Sequence, residues 1–243
     1  MKTKQTPSPH PRQAFLEWYH ATTLGQILQT IEASYLQVSL NPTYNQKILQ
    51  VGLLGCENLY IDETFIHNFI LVGAEHRGET CIKRLITACP AVLPVASGSI
   101  DTLILPHVID FEPDKHQVLH EAERVLKPNG RLFVLGFNPW SVHGILQYLP
   151  RRSSFWQLDF ISSHRLLDWL SLLKFDAEYS VAFSIASSKA IQKPNSFFSK
   201  ARAHLSFAFG IKAVKRTYRL IPIEPKWIGA PDLVPGHMFE TLP

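Results

Sequence analysis

Apolar residues along this chain follow two spacings. Near the N-terminus Leu24, Ile27, Leu28, Ile31, Tyr35 and Val38 recur at i, i+3, i+4, i+7, i+11 and i+14, a single helical stripe. Asn41-Pro42 ends it, because the residue before a proline is pushed out of helical conformation. This helix is expected to pack across the edge of the main domain. Beyond it the apolar residues collapse into short continuous runs at residues 48–52, 69–73, 100–105 and 132–137. Runs apolar on both faces suit a parallel sheet covered by helices on each side. Between the third and fourth runs a helix is signalled, with Pro113 in its first turn and Glu112 and Asp114 favouring its positive end. Val118, Leu119, Ala122, Val125 and Leu126 form its core face, and Lys127-Pro128-Asn129-Gly130 turns it into the next strand. Ser162 or Ser163 caps a further helix over 165–173, burying Leu166, Leu167, Leu170 and Leu173. Residues 175–183 and 207–215 read as two closing strands. The pattern describes an α/β sandwich with an antiparallel edge.

The 243 residues fit one large domain, and a composition 46% hydrophobic and 18% charged excludes a disordered polyelectrolyte. We divide them into a loose tail (1–12), one domain (13–219) and a proline-rich C-terminal tail (220–243). The domain includes a helical extension at 13–41 and an excursion at 184–206. Lys2 and Lys4 precede no apolar core, so no signal peptide is expected, and no run is long enough to span a bilayer. Cys56, Cys81 and Cys89 are too few for a disulfide framework, which suits a reducing cytoplasm. The net charge of +4 is uneven: eight Lys and Arg, from Lys189 to Arg219, stand without an acidic residue. The remainder holds 16 basic against 20 acidic residues. Such a block could attract a polyanion such as RNA, or be an ordinary solvated surface.

Ligands of an open parallel sheet bind beyond the carboxyl ends of its strands, where the strand order reverses. Gly52 and Gly55 follow the first run, where glycine lets a backbone approach a nucleoside-bearing ligand. Glu75, just after the second run, is placed to accept hydrogen bonds from both ribose hydroxyls.

The segment LPVASGSIDTLILPHVIDFEPDKHQVLHEAERVLKPNGRLFVLGFNPW resembles the class I S-adenosylmethionine-dependent methyltransferases of type 11. Its LPHVIDF and GFNPWS motifs are similar to those of a small set of uncharacterised bacterial methyltransferases. The resemblance implies a Rossmann-like, seven-stranded, mostly parallel sheet with helices on both faces, its last strand antiparallel, plus an N-terminal helix. It implies S-adenosylmethionine as cofactor, bound by Gly52, Gly55, Glu75, Leu105 and Pro106, and a methyl acceptor near Asn138 and Trp140. The first motif departs from the family's acid-x-G-x-G-x-G. Gln50 stands at the acid, Leu54 and Cys56 at the later glycines, and Cys89-Pro90 at the acid that meets adenine. A binding protein without catalysis is therefore the alternative to an enzyme.

His107 is the candidate catalytic base, its alternative being a buried histidine that orients the loop. Trp140 could stack on a planar acceptor or serve as a core or lid tryptophan. The Asn-Pro-Trp motif follows a different strand from the Asn-Pro-Pro-Tyr motif of nucleic-acid amino-methyltransferases, so that comparison is rejected. His116 and His120 share a helix face, but Arg124 stands where a metal-binding H-E-x-x-H motif needs histidine, so no metal is expected. A small-molecule acceptor is favoured over RNA or protein.

Overall fold

Two helices open the fold. α1 (Pro11–Ala21) and α2 (Thr23–Leu40) are joined so tightly that Thr22 caps α2, its hydroxyl accepting from the Gly25 N–H while donating to the Trp18 carbonyl. The computed structural model describes residues 11–40, 45–59, 67–73, 84–141, 160–184, 189–192 and 206–216. Within them the strands are β1 (Ile48–Val51), β2 (Phe69–Gly73), β3 (Leu85–Thr87), β4 (Ile100–Pro106), β5 (Leu126–Phe137), β6 (Phe175–Ser184), β7 (Lys189–Gln192) and β8 (Ala208–Lys215). The remaining described α-helices are α3 (Val108–Phe111), α4 (Lys115–Val125) and α5 (Ser163–Leu172), and a 3-10 turn spans Glu57–Leu59.

The strands form one sheet in the order β3-β2-β1-β4-β5-β8-β6-β7. β1 to β5 are parallel, while β8 runs antiparallel between β5 and β6. Alternate residues face opposite layers, as a strand requires. Ile48, Leu71, Ile104, Phe133 and Leu135 join the core under α1 and α2. Leu49, Val72, Leu103, Leu105, Leu132 and Val134 join the core under α4 and α5. The expected mostly parallel sheet with helices on both faces is thus observed.

Several local expectations are corrected. The sheet has eight described strands, because the excursion contributes β7 as a hairpin partner of β6. The last strand is interior, and β7 forms that edge. β3 went unseen because its three residues are partly exposed and carry no run. α2 lies over one sheet face and reaches the edge strand β7, and its buried side passes through Leu28, Ile31, Glu32, Tyr35, Leu36 and Leu40. Val38 is 76% exposed, since the helix is turned to bury Glu32 instead. Asp114 caps α4 by accepting from the Gln117 N–H, which leaves Pro113 outside the first turn. Residues 127–130 form an irregularity inside β5, between the partners of Ile100 and Thr102, with Asn129 at φ 62°. Ser162 caps α5, accepting from the Arg165 N–H.

The helical hairpin has no room at its turn: a Cβ on Gly25 would fall on the carbonyl oxygens of Trp18 and Tyr19. Gly25→Ala is therefore expected to destabilise the protein by about 1–3 kcal/mol in a denaturant titration. A gain of about 1 kcal/mol, the helix-propensity benefit alone, would contradict this packing.

Candidate functional site

β1 and β4 are neighbours from which the chain proceeds in opposite directions across the sheet, so their carboxyl ends flank the switch point. The structure brings the predicted loops together there. Gly52 adopts φ 97°, a conformation that favours glycine, and its amide donates to Val72 O over 2.7 Å. A Cβ on Gly52 would lie 2.6 Å from Val108 Cγ2, 2.9 Å from Arg12 Nη2 and 3.6 Å from Pro106 O. Gly55, at φ 82°, faces His20 Nε2 in the same way at 3.1 Å. Leu53 packs its side chain onto Gly73 at the end of β2. Leu105 and Pro106 end β4, and Leu105 is buried.

A carboxylate stands in the loop that follows Gln50. Glu57 is buried, and its Oε1 accepts from the amides of Leu54 (2.6 Å) and Gly55 (3.0 Å). Gln50 Nε2 donates to Gly52 O at 2.9 Å and to Glu57 Oε1 at 3.4 Å. The loop is thus held by a carboxylate seven residues downstream of the expected position. Gln50 Oε1 remains buried without a hydrogen-bond partner. From the other side α1 covers the loop: Arg12 Nη2 donates to Leu53 O at 3.4 Å, and His20 Nε2 lies 2.6 Å from Leu54 O.

His107 follows β4 in left-handed conformation at φ 53° and is 1% exposed. Its Nε2 lies 2.9 Å from Glu32 Oε1 on α2, and its Nδ1 lies 3.1 Å from Asp110 Oδ2 on α3. Tyr19 on α1 donates to Glu32 Oε2 at 2.7 Å, and the Phe137 amide donates to Asp110 Oδ2 at 3.1 Å. The imidazole lies tilted against Phe137, centroids 4.3 Å apart, and Phe15 lies 5.2 Å away. Burial disfavours its charge, but the carboxylates of Glu32 and Asp110 outweigh that cost and raise His107 to about 9. Burial also raises Asp110, against the opposing pull of His107 and the Phe137 amide.

Asn138 follows β5, and its side-chain oxygen accepts from the Trp140 amide at 3.1 Å. Trp140 is 64% exposed. Glu75 lies outside the described residues, as does Cys81, while Cys89 is exposed after β3. Of the basic block, Lys193, Lys200, Arg202 and Arg219 also lie outside them. Two of its described members are engaged within the fold: Lys215 pairs with Glu123 at 2.9 Å, and Arg216 pairs with Asp176 at 2.8 Å. His116 rests against the Trp169 ring, with centroids 3.8 Å apart.

The sequence reading did not single out Arg12, Glu32, Glu57 or Asp110. Only Glu32 carried a signal, being a carboxylate inside an apolar helical stretch.

Residues 72–134, from β2 to β5, match a family described as a methyltransferase domain, of the type 11 group, which supports the resemblance drawn from the motifs. The uncharacterised protein YafS of Escherichia coli is 31% identical over 62% of this chain, and the match spans 62% of YafS itself. An arsenite methyltransferase of Aquipseudomonas alcaligenes is 49% identical over 43 residues, 18% of this chain and 12% of that protein. The fold is that of a S-adenosylmethionine-dependent methyltransferase from Thermotoga maritima, with TM-score 0.62 at 16% identity over 84% of this chain and 96% of that one. It is also that of the plantazolicin methyltransferase BpumL in complex with S-adenosylhomocysteine, with TM-score 0.57 at 14% identity over 87% and 92% of the two chains.

A histidine whose charge is favoured by folding adds stability that is complete below about 6.5 and is lost as pH rises through about 9. The raised Asp110 acts in the same direction. Unfolding free energy should therefore fall by up to about 3 kcal/mol between pH 6.5 and 9.5. His107→Asn, which tolerates the left-handed backbone, should flatten that fall. An equally steep fall in the variant would place the titration elsewhere.

Proposed function

We propose that this chain is a S-adenosylmethionine-dependent methyltransferase whose cofactor lies beyond the carboxyl ends of β1, β2 and β4. The observation that carries this reading is the juxtaposition of a glycine loop of positive φ after β1 with the end of β4, at the switch point of a sheet that has this fold. The residues present fit the cofactor. Gly55 leaves exposed backbone in the loop after β1, and Arg12 brings a cation to that loop. When bound, the cofactor supplies an electrophilic methyl group for in-line displacement. Gly52, Gly55, Leu105 and Pro106 form its bed, and Glu75 accepts from the ribose hydroxyls.

The chain's own contribution to rate is alignment of acceptor and methyl. His107 supports that role better than base catalysis. With both ring nitrogens facing carboxylates, the imidazolium form has no lone pair with which to take a proton. It positions the loop after β4 by tying it to α2 and α3. Asn138 and the exposed Trp140 border the acceptor, for which a small planar molecule suits the indole face.

One observation favours the second reading, a binding protein without turnover: Glu57 already occupies the loop amides of Leu54 and Gly55. Calorimetric titration with S-adenosylmethionine and S-adenosylhomocysteine tests the shared premise, and turnover separates the two readings. Glu75→Ala should abolish detectable binding while leaving the melting temperature unchanged, because it removes two charge-assisted hydrogen bonds of about 1.5–3 kcal/mol each. An unchanged dissociation constant would remove Glu75 from the site. Trp140→Ala should raise the KM for the acceptor severalfold and leave cofactor affinity unaltered. Loss of cofactor affinity instead would contradict its placement at the acceptor.

A further inference from the structure

Aromatic rings from distant parts of the chain form a row beside the carboxyl end of β5. Trp18 of α1 stacks on Phe207, with centroids 5.7 Å apart. Phe207 lies edge-on to Phe137 at 5.5 Å, and Phe160 lies edge-on to Phe137 at 5.5 Å from another side. The Asn138 amide donates to Phe207 O at 3.1 Å, which holds the start of β8 against the end of β5. Phe137 and Phe207 are buried and make the base of the row. Trp18 and Phe160 are only half-buried, and Trp140, three residues after Phe137, is exposed. Rings that served the core alone would be closed over. Aromatic surface left open next to the end of β4, with a few neutral polar groups beside it, is the lining of a small-molecule site.

Charge decides what this surface holds. The polar side chains next to the rings in sequence, Asn138, Ser141 and Ser206, are neutral and buried. Among the described residues, the ionisable group in ring contact with the row is His107, against Phe137, and both its nitrogens already face carboxylates. Glu32 and Asp110 are themselves buried against that imidazole. An ion of either sign placed on the rings would lose water and gain no opposite charge from these groups. We infer that the methyl acceptor is an uncharged planar aromatic molecule, and that Trp18 is the residue through which α1 selects it. The inference rests on the cofactor reading above and deepens it by naming the acceptor class. Tyr19, the next residue, donates to Glu32, so the network that fixes His107 also fixes the place of the indole.

The test is calorimetric and independent of turnover. Protein saturated with S-adenosylhomocysteine is titrated at neutral pH with 2-naphthol, 2-naphthoate, 2-naphthylmethylammonium and the saturated alcohol decahydro-2-naphthol. 2-Naphthol should bind, and both ions should bind at least about 10-fold more weakly, because their charge goes unpaired. The saturated alcohol should bind about threefold to tenfold more weakly than 2-naphthol, the worth of an aromatic pairing. These comparisons use wild type and need no folded variant. Trp18→Leu should weaken 2-naphthol by about the same threefold to tenfold and leave S-adenosylhomocysteine affinity unchanged, and Trp18→Phe should recover most of the loss. Equal or tighter binding of either ion would overturn the proposal. So would a saturated alcohol equal to 2-naphthol, or a 2-naphthol affinity indifferent to Trp18→Leu. If S-adenosylhomocysteine binds and 2-naphthol does not, the acceptor class fails while the cofactor reading stands. If S-adenosylhomocysteine itself does not bind, the cofactor reading fails and this inference falls with it.

Discussion

Two carboxylates closed around one imidazole hold the N-terminal hairpin to the sheet. Glu32 comes from α2, Asp110 from α3 and His107 from the end of β4, and all three are buried. Removing one partner from such a buried cluster strands the others without compensation, at about 3–5 kcal/mol. The cluster accounts for several otherwise costly features. A non-glycine residue accepts left-handed backbone at His107, a glutamate accepts burial in the face of α2, and the Phe137 amide at the end of β5 finds its acceptor in Asp110. Tyr19 extends the same network into α1, so both N-terminal helices are tied to the end of β4 by polar contacts within an aromatic surround.

The same hairpin reshapes the loop after β1. Arg12 and His20 approach the carbonyls of Leu53 and Leu54 from outside, while Glu57 occupies the amides of Leu54 and Gly55. Donors and acceptors of the loop are therefore satisfied from opposite sides by groups distant in sequence or displaced from the expected motif. The glycine at position 52 is required by the approach of Val108 and Arg12 as much as by its own φ.

Sheet and helices were legible because burial on both faces leaves continuous apolar runs, and the runs at β1, β2, β4 and β5 coincide with strands. What escaped was set by contacts between elements. β3 and β7 have three and four residues and exist through their neighbours, so no pattern of their own marks them. The rotation of α2 followed from Glu32 meeting His107, which the stripe ending in Val38 could not encode. The glycines and His107 were visible as residues after strands. Their partners Arg12, Glu57 and Asp110 were ordinary surface types until the topology brought them together.

The separation of 75 residues between Glu32 and His107 bears on the order of assembly. α1 and α2 can pair through local contacts alone, but their anchoring site does not exist until β4 has joined the sheet and α3 has presented Asp110. Contacts of such long span form after loop-closure entropy has been overcome, which makes docking of the hairpin a late event. In reverse, an opening of the hairpin alone would uncover the glycine loop, but it would also expose the apolar sheet face beneath α1 and α2. Amide protons of α1 and α2 would then exchange with solvent through an opening of lower energy than those of β1, β4 and β5.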